Sequence, residues 1–431
     1  MSAPSRTAEI RRLAARDEAA ATAALTTLFS DLFGLVAEGV AINRDQYSLN
    51  SLNGFFSAGG ADYFFKFHQE DGEEVMTGEY YRADILARAG LPVDMPVFVS
   101  NLPGEQVLVY RRRADPRFSD VLRALDIAAL EGRRDTAGEA AAIAAERRLD
   151  AVVARVYLDS LHPITATEAA AEPIHRLFHD RLVDMPGRRF PGGRLAGFYL
   201  GHTARLPGVE LAWDDFAARR ILVNGRAYRR TIGELFAAAG ERLRSDRLAD
   251  AGGVVAHGDA HNANVWYGRG TDGPDLSFYD PAFAGEHVPS LLAEVKATFH
   301  NVFAHPLWLY DPAEATERFS ASARLDGGTL VLDTDWALTP VRRALLAAKA
   351  DLIWKPLLST LAARGLLPAD WHEVIRLALF LCPTLVMNLR AGAATHTETS
   401  SAIAFAVAVM VGSEPEDGDD EMTAFLETIA P

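Results

Sequence analysis

Residues 257–264 of this 431-residue chain read HGDAHNAN and follow the short apolar run VVA at 254–256. Two histidines, one aspartate and two asparagines directly after a strand-like segment indicate a functional loop at the end of a strand. His257, Asp259 and His261 occupy alternate positions, so on an extended segment their side chains would face one way. Donors of these types bind metal ions, and a metal site is the first of three interpretations.

The tetrapeptide Gly-Asp-Ala-His at 258–261 gives the second interpretation, because Gly-Asp-x-His is typical of metallophosphoesterases. Such an enzyme needs further metal ligands, typically in a later Gly-Asn-His segment, and the sequence contains none. The histidines after position 261 lie in dissimilar contexts; they are His287, His300, His305, His372 and His396. Both metal-based interpretations are therefore weaker than the third.

The third interpretation is phosphoryl transfer. Asp259 and Asn264 have the spacing of a protein-kinase catalytic loop, in which four residues separate the aspartate from the asparagine. The aspartate accepts or orients the proton of the attacking hydroxyl, and the asparagine binds a Mg²⁺ ion that bridges phosphate oxygens. The metal also needs a carboxylate after the next strand. VWY and LSFY flank a glycine-rich turn and predict a hairpin, which places Asp280 there.

The loop satisfies His-Gly-Asp-x-His-x-x-Asn in full, and Asp280 stands five positions before Gly285. In both features the chain resembles the aminoglycoside phosphotransferase and choline kinase-like families, which are small-molecule kinases with a protein kinase-like fold. The resemblance implies ATP and Mg²⁺ as cofactors and the hydroxyl of a small molecule as acceptor. It makes Asp259 the catalytic residue and Asn264 and Asp280 the metal ligands.

The same resemblance implies an α+β, bilobal fold with a small β-rich N-terminal lobe and a large, mainly helical C-terminal lobe. Sequence patterns agree with this order. Helices are predicted at 5–33, 72–90 and within 117–250 and 291–405, strands within 46–69, 96–101, 106–111 and 254–256, and an exposed loop at 186–194. The expected divisions are a helical extension at 1–34, a nucleotide-binding lobe at 35–112 and a catalytic lobe with an acidic tail at 113–431.

Lys66 and Glu79 match two further requirements of the family, a lysine on the third strand and a glutamate on the following helix. Lys66, in ADYFFKFH, is the only lysine among the first 295 residues, against many arginines. A lysine retained in so arginine-rich a chain indicates a need for an ammonium group rather than a guanidinium. The resemblance implies that Lys66 contacts the nucleotide phosphates and that Glu79 orients it.

The loop that would cover the phosphates departs from the family pattern. SLNGFFSAGGAD contains three glycines but no Gly-x-Gly-x-x-Gly. Backbone amides at 51–55, including those of Asn53 and Gly54, would cradle phosphates; an ordinary hairpin turn at Asn53-Gly54 is the alternative. The strand at 107–111 would be the hinge, with backbone groups of Val109 offered to adenine.

Charge and composition indicate which other partners and which cellular compartment to expect. The net charge of −15 argues against a nucleic-acid partner, but the eight acidic residues after Arg390 contribute −8 of it, leaving −7 for the rest. The sequence has no apolar run long enough to cross a membrane, and its start predicts no signal peptide. A single cysteine excludes an internal disulfide and favours a reducing cytoplasm. We expect a cytoplasmic monomer or homodimer.

The acceptor is the least determined part of the prediction. The acidic balance favours a polyhydroxylated, amine-bearing acceptor, and a neutral sugar or nucleoside-like acceptor is the alternative. The residue directly before Asp259 is Gly258 rather than the arginine of the protein-kinase loop, which argues against protein substrates. Side chains of HPLWLYD at 305–311 are candidates for a substrate wall, with core packing as the competing role. His257 and His261 are expected to support the loop. A nucleotide-binding regulator without catalysis also remains open.

Overall fold

A computed structural model describes residues 5–43, 51–68 and 82–431. Its N-terminal lobe is built on a five-stranded antiparallel sheet with the strand order β1-β2-β3-β5-β4. The elements of this lobe are α1 (Arg6–Ala14), α2 (Glu18–Phe33), β1 (Glu38–Ile42), β2 (Ser51–Ala58), β3 (Ala61–His68), α3 (Ala83–Ala89), β4 (Phe98–Ser100) and β5 (Val107–Arg111).

The predicted single helix at 5–33 is two helices. Asp17 lies outside helical geometry, and its side chain accepts a hydrogen bond from the amide of Ala20, so it caps a new helix. Both helices pack on the sheet, and Phe29 stacks on Phe56 with ring centroids 4.5 Å apart. The N-terminal helices therefore share the core of the sheet.

The hairpin between β2 and β3 turns at Gly59-Gly60, where both residues have positive φ, as the sequence predicted. Asn53-Gly54 forms no turn; it lies inside β2. Of the helix predicted at 72–90, the described part is α3, which ends at Gly90 in the left-handed conformation.

The C-terminal lobe is large and mainly helical, and most of its apolar side chains form one core. Its helices are α4 (Phe118–Leu130), α5 (Thr136–Ser160), α6 (Ala166–Ala171), α7 (Gly193–Tyr199), α8 (Trp213–Ala217), α9 (Ile232–Arg242), α10 (Val295–Thr298), α11 (Pro312–Arg318), α12 (Pro340–Lys349), α13 (Lys355–Ala363), α14 (Trp371–Val386), α15 (Glu398–Gly412) and α16 (Glu421–Ile429). The expected pairing of a small sheet lobe with a helical lobe is confirmed.

This lobe contains more strands than the sequence predicted. They are β6 (Thr203–Leu206), β7 (Val209–Ala212), β8 (Ile221–Val223), β9 (Arg226–Ala227), β10 (Gly253–Ala256), β11 (Val265–Gly270), β12 (Gly273–Phe278), β13 (Gly285–Pro289), β14 (Ala321–Asp326) and β15 (Thr329–Thr334). The uniform helical prediction for 117–250 and 291–405 is therefore wrong in part. Asn224-Gly225 and Gly327-Gly328, all with positive φ, form tight turns between short strands, and these dipeptides are the sequence signals for those strands.

Two strand pairs position the loop at 257–264. β10 pairs with β13, and β11 pairs with β12 as the predicted hairpin. The loop leaves β10 at Ala256 and enters β11 at Val265, so both ends are held by strands. Within the described ranges, no helix is long and apolar enough to cross a membrane.

Candidate active site

The loop after β10 is held by the imidazole of His257. Its Nε2 donates to the carbonyl of Tyr279 at 2.9 Å, and its Nδ1 accepts from the amide of Asp259 at 3.3 Å. Burial lowers the pKa of His257, which keeps the ring neutral and suited to these two bonds. His257 thus supports the loop, as predicted.

A metal site formed by the alternating histidines and Asp259 does not fit this geometry. Both ring nitrogens of His257 are engaged by backbone, and Nδ1 of His261 accepts from the amide of Ala263. In the part of the chain that the structure describes, no cluster of three or more His, Cys, Asp or Glu side chains could hold a metal ion. The first two interpretations of the motif lose their support.

Asp259 is a largely buried carboxylate beside cationic and imidazole groups. Its Oδ1 lies 3.4 Å from Nζ of Lys296, and its Oδ2 lies 3.7 Å from Nε2 of His261. Burial alone would raise the pKa of Asp259, but the charge of Lys296, together with His261, His257 and Arg181, lowers that pKa below its ordinary value. Asp259 is therefore ionised at neutral pH, as an acceptor for a hydroxyl proton must be.

Asn264 directly precedes β11 and Asp280 follows β12, so both residues lie at the same open end of the hairpin. The register pairs Val265 with Phe278, and the amide of Tyr279 donates to the carbonyl of Asn264 at 2.9 Å. The side-chain nitrogen Nδ2 of Asn264 donates to the backbone carbonyl of Asp259 at 3.0 Å. The side-chain oxygen Oδ1 of Asn264 is not used in that bond. The hairpin brings one amide oxygen and one carboxylate beside the loop at 257–264.

This donor set fits Mg²⁺ held together with a nucleotide. Mg²⁺ prefers oxygen ligands and commonly takes only one or two from the protein, with substrate phosphates and waters completing the shell. Asn264 and Asp280 offer oxygens of that kind. Asp280 also has φ of 55°, a left-handed conformation that aspartate adopts more readily than most residues.

Lys66 joins the two lobes at this site. Its Nζ on β3 lies 2.5 Å from Oδ1 of Asp280, and both side chains are partly shielded from solvent. Burial would raise the pKa of Asp280, but the charge and hydrogen bond of Lys66 lower it below the ordinary value. The structure therefore brings Lys66, Asp259, Asn264 and Asp280 into one site between the lobes.

Close packing explains why residue 285, the glycine of the Asp-x-x-x-x-Gly segment, has no side chain. A Cβ atom there would lie 1.7 Å from Oε2 of Glu172, whose Oε1 accepts from the amide of His287 at 2.8 Å. Arg82, from the N-terminal lobe, donates to the carbonyl of Ala284 at 2.9 Å. Glycine at this position lets the segment after Asp280 pack closely against the C-terminal lobe.

The predicted nucleotide contacts need corrections. Gly54 is not a loop residue: a Cβ there would lie 2.1 Å from the carbonyl oxygen of Ala41 and 2.7 Å from the Phe65 ring, so strand packing requires it. Asn53 is paired with Lys66 across β2 and β3, so its side chain lies on the same sheet face as that lysine. The β1–β2 connection that would cover phosphates falls mostly at 44–50, outside the described residues.

The carbonyl of Val109 already accepts a hydrogen bond from the amide of Val97 at 2.7 Å, and its contact with adenine stays a prediction. Its side chain is fully buried in the core of the N-terminal lobe. Val109 is the middle of a strand that has neighbours on both sides, which the pattern QVLVYR did not reveal. Glu79 lies outside the described residues, and its role remains a prediction.

Sequence reasoning missed Lys296 and Asn301. Lys296 is buried and contacts Asp259, while Oδ1 of Asn301 accepts from the amide of Asn262 in the loop at 2.8 Å. The rarity of lysine in the chain is a signal that points to Lys296 as it does to Lys66. Nothing in the sequence around Asn301 indicates its contact, which depends on the packing of the π-helical turn Phe299–Phe303, directly after α10, against the loop.

No protein-family model and no curated protein matches the chain. Solved structures do resemble it, and they are small-molecule kinases and phosphotransferases. An aminoglycoside phosphotransferase from Streptomyces rimosus is 17% identical, covering 84% of this chain and 97% of its own, with a TM-score of 0.35. A microcompartment-associated aminopropanol kinase is 13% identical, covering 91% and 96%, with a TM-score of 0.38.

A spectinomycin phosphotransferase in complex with ADP and spectinomycin is 11% identical, covering 89% of this chain and 98% of its own, with a TM-score of 0.33. All these identities are below 25%, and all the TM-scores are below 0.5. We therefore rest the functional proposal on the side chains of the site rather than on these similarities.

Proposed function

We propose that the chain is an enzyme that transfers the γ-phosphoryl group of ATP to a hydroxyl of a small molecule. The observation that carries the proposal is the meeting of Lys66 and Asp280 across the lobes, beside Asp259 and Asn264 of the catalytic loop. A nucleotide between the lobes would place its phosphates against Lys66. Lys66 is remote in sequence from the other three residues, and together the four supply the groups that phosphoryl transfer requires.

Asp259 orients the attacking hydroxyl. Its carboxylate is ionised and its pKa is low, so it is a weak base in the ground state and accepts the proton only as the new bond forms. The acceptor oxygen bonds to the γ-phosphorus, the bond to the β,γ-bridging oxygen breaks, and ADP leaves. Asn264 and Asp280 would hold Mg²⁺, which neutralises negative charge on the phosphate oxygens.

Lys66 supplies the positive charge from the other lobe. In the structure it pairs with Asp280, and on nucleotide binding its ammonium would be shared between that carboxylate and phosphate oxygens. Catalysis then comes mainly from positioning and from charge complementary to the transferring group. The acceptor is a small polyhydroxylated molecule, either amine-bearing, as the net charge predicted, or neutral and sugar-like.

The direct test measures ATP consumption with a library of hydroxyl compounds and identifies the product by mass. The Asp259→Asn variant should lose about 10²–10⁴-fold in turnover, the range for general acid–base groups, while ADP affinity stays within a few-fold. Asp275→Asn is a matched control, since Asp275 is exposed on β12 of the same hairpin.

Two outcomes would contradict the proposal. Near-wild-type turnover in Asp259→Asn would remove the catalytic role of that carboxylate. Nucleotide binding without ATP cleavage for any compound would instead support a regulator without catalysis.

A further inference from the structure

A chain of buried polar side chains leads away from Asp259. Nζ of Lys296, which lies 3.4 Å from Asp259, is also 2.9 Å from Nε2 of His300. Nδ1 of His300 in turn forms a hydrogen bond with the hydroxyl of Tyr310. Lys296 and His300 are only 3% and 2% exposed, whereas Tyr310 is partly exposed. We refer to Lys296, His300 and Tyr310 as the relay.

The bond between Lys296 and His300 determines which ring nitrogen of His300 carries the proton, and so the direction of the bond between His300 and Tyr310. An ammonium group has donors only, so Nε2 of His300 must be the nitrogen with the lone pair. Nδ1 then carries the ring proton and donates it to the Tyr310 oxygen. Burial, assisted by the charge of Lys296, holds the pKa of His300 well below its usual range, in agreement with a neutral ring.

The hydroxyl proton of Tyr310 remains to be donated. Burial raises the pKa of Tyr310, so the phenol keeps this proton. Among the contacts of residues 5–43, 51–68 and 82–431, the only hydrogen bond of the Tyr310 hydroxyl is the one with His300. A partly exposed donor, already oriented by a buried imidazole, is suited to a ligand that provides an acceptor atom.

Tyr310 lies on the same side of the site as the Asp259 carboxylate. A row of rings connects them: His261 and His300 have centroids 5.5 Å apart, and His300 and Tyr310 6.0 Å apart. His261 is itself 3.7 Å from Asp259. The ring of His305 flanks Tyr310 at 5.4 Å. Tyr310 and His305 of the HPLWLYD segment form this wall with the loop at 257–264, whereas Leu307, Trp308 and Leu309 of the same segment are fully buried in the core.

The charges around this wall do not favour an ammonium group. The ammonium of Lys296 is buried there, and the guanidinium of Arg181, which donates to the carbonyl of Leu385 at 3.4 Å, is near enough to act on Asp259 and His300. Burial raises the pKa of the Cys382 thiol to about 12, so the thiol adds no negative charge. The overall charge of −15 is therefore not the local charge.

We propose that Tyr310 donates a hydrogen bond to an oxygen atom of the acceptor, next to the hydroxyl that Asp259 orients. Lys296 and His300 are the positioning residues that fix this donor. The acceptor thus carries a hydroxyl, ether or carbonyl oxygen at that position rather than an ammonium group. This inference rests on the proposed phosphoryl transfer, and it replaces the cationic preference drawn from net charge with a preference for an oxygen-bearing, sugar-like or polyol acceptor.

The experiment compares matched compounds that differ in one group. ATP cleavage is measured with glucose against glucosamine, with glycerol against 2-amino-1,3-propanediol, and with water alone. We expect the hydroxyl compound of each pair to have the higher kcat/KM. Tyr310→Phe should lower that value by about 10–100-fold, mainly through the acceptor KM, because the acceptor oxygen loses its donor.

Two further variants separate this role from a purely structural one. Tyr228→Phe is the matched control, since it also removes one buried tyrosine hydroxyl. That hydroxyl donates to Asp420 and joins the end of β9 to the start of α16. His300→Asn retains an N–H near the Nδ1 position, whereas His300→Leu does not. We expect His300→Asn to keep an acceptor KM closer to wild type.

The outcomes distinguish the inference from the function on which it rests. If wild type cleaves no ATP with any compound or with water, the proposed phosphoryl transfer fails. If wild type is active but Tyr310→Phe keeps its acceptor KM, or if both amines are preferred, the inference is overturned. Should water be the only acceptor used, hydrolysis by Tyr310→Phe must be at least about tenfold slower, and an equal rate overturns it.

Discussion

Replacing Lys349 with methionine should strongly destabilise the C-terminal lobe. The ammonium of Lys349 at the end of α12 lies 3.1 Å from Glu146, 3.1 Å from Asp150 and 2.8 Å from Glu294, and all four side chains are at most 3% exposed. With Asn262 of the catalytic loop they line a cavity of about 10 Å³. One ammonium therefore balances three carboxylates beneath the site.

The magnitude follows from these contacts. Two charge-assisted hydrogen bonds, to Asp150 and Glu294, at roughly 1.5–3 kcal/mol each would sum to roughly 3–6 kcal/mol, and Glu146 adds an ion pair. Burial raises the pKa of Asp150 and of Glu294, so protonation of carboxylates relieves part of this loss in the variant. We expect a decrease of about 3–5 kcal/mol in the free energy of unfolding, the range for breaking a buried ion pair.

Urea unfolding, followed by tryptophan fluorescence, measures this decrease. Trp354, fully buried in the turn after Lys349, is a nearby reporter. Lys355→Met is the matched control, because Lys355 is exposed on the next helix and should change stability by less than about 0.5 kcal/mol.

The pH dependence gives a second criterion. In Lys349→Met the buried carboxylates have folded-state pKa values above their unfolded ones, so the folded state binds more protons and stability falls as pH rises. The deficit relative to wild type should therefore be larger at pH 8 than at pH 5. A loss no greater than that of Lys355→Met, or a deficit that grows on acidification, would refute the reasoning.

Three predictions concern activity. Lys66→Arg should be strongly impaired, because a wide planar guanidinium does not replace a compact ammonium between phosphate oxygens and Asp280; full activity would contradict this. Asp280→Ala should abolish Mg²⁺-dependent turnover, and an unchanged Mg²⁺ titration would make Asp280 only a turn residue. Because lysines lower the pKa of Asp259 and Asp280 against the effect of burial, turnover should persist as pH falls and be lost only below about pH 4. A carboxylate titration near pH 6 would disagree.

The strand, loop and hairpin around residues 257–264 could be predicted because the sequence signals for them are local. The spacing of Asp259 and Asn264, and the hairpin that leads to Asp280, depend on residues close together in the chain. Periodicity and turn residues likewise indicated a small sheet followed by a helical lobe. The scarcity of lysine identified Lys66, since an arginine-rich background makes each retained ammonium informative.

Only the tertiary structure decided which distant residues share the site. Lys66 and Asp280 are 214 positions apart, and their contact depends on how the lobes meet. Val109 and Gly54 read like cleft residues in sequence, but neighbouring strands use the Val109 carbonyl and leave no room for a side chain at Gly54. The relay from Lys296 to Tyr310 was equally unpredictable, because hydrogen-bond direction and burial arise only when separate elements pack together.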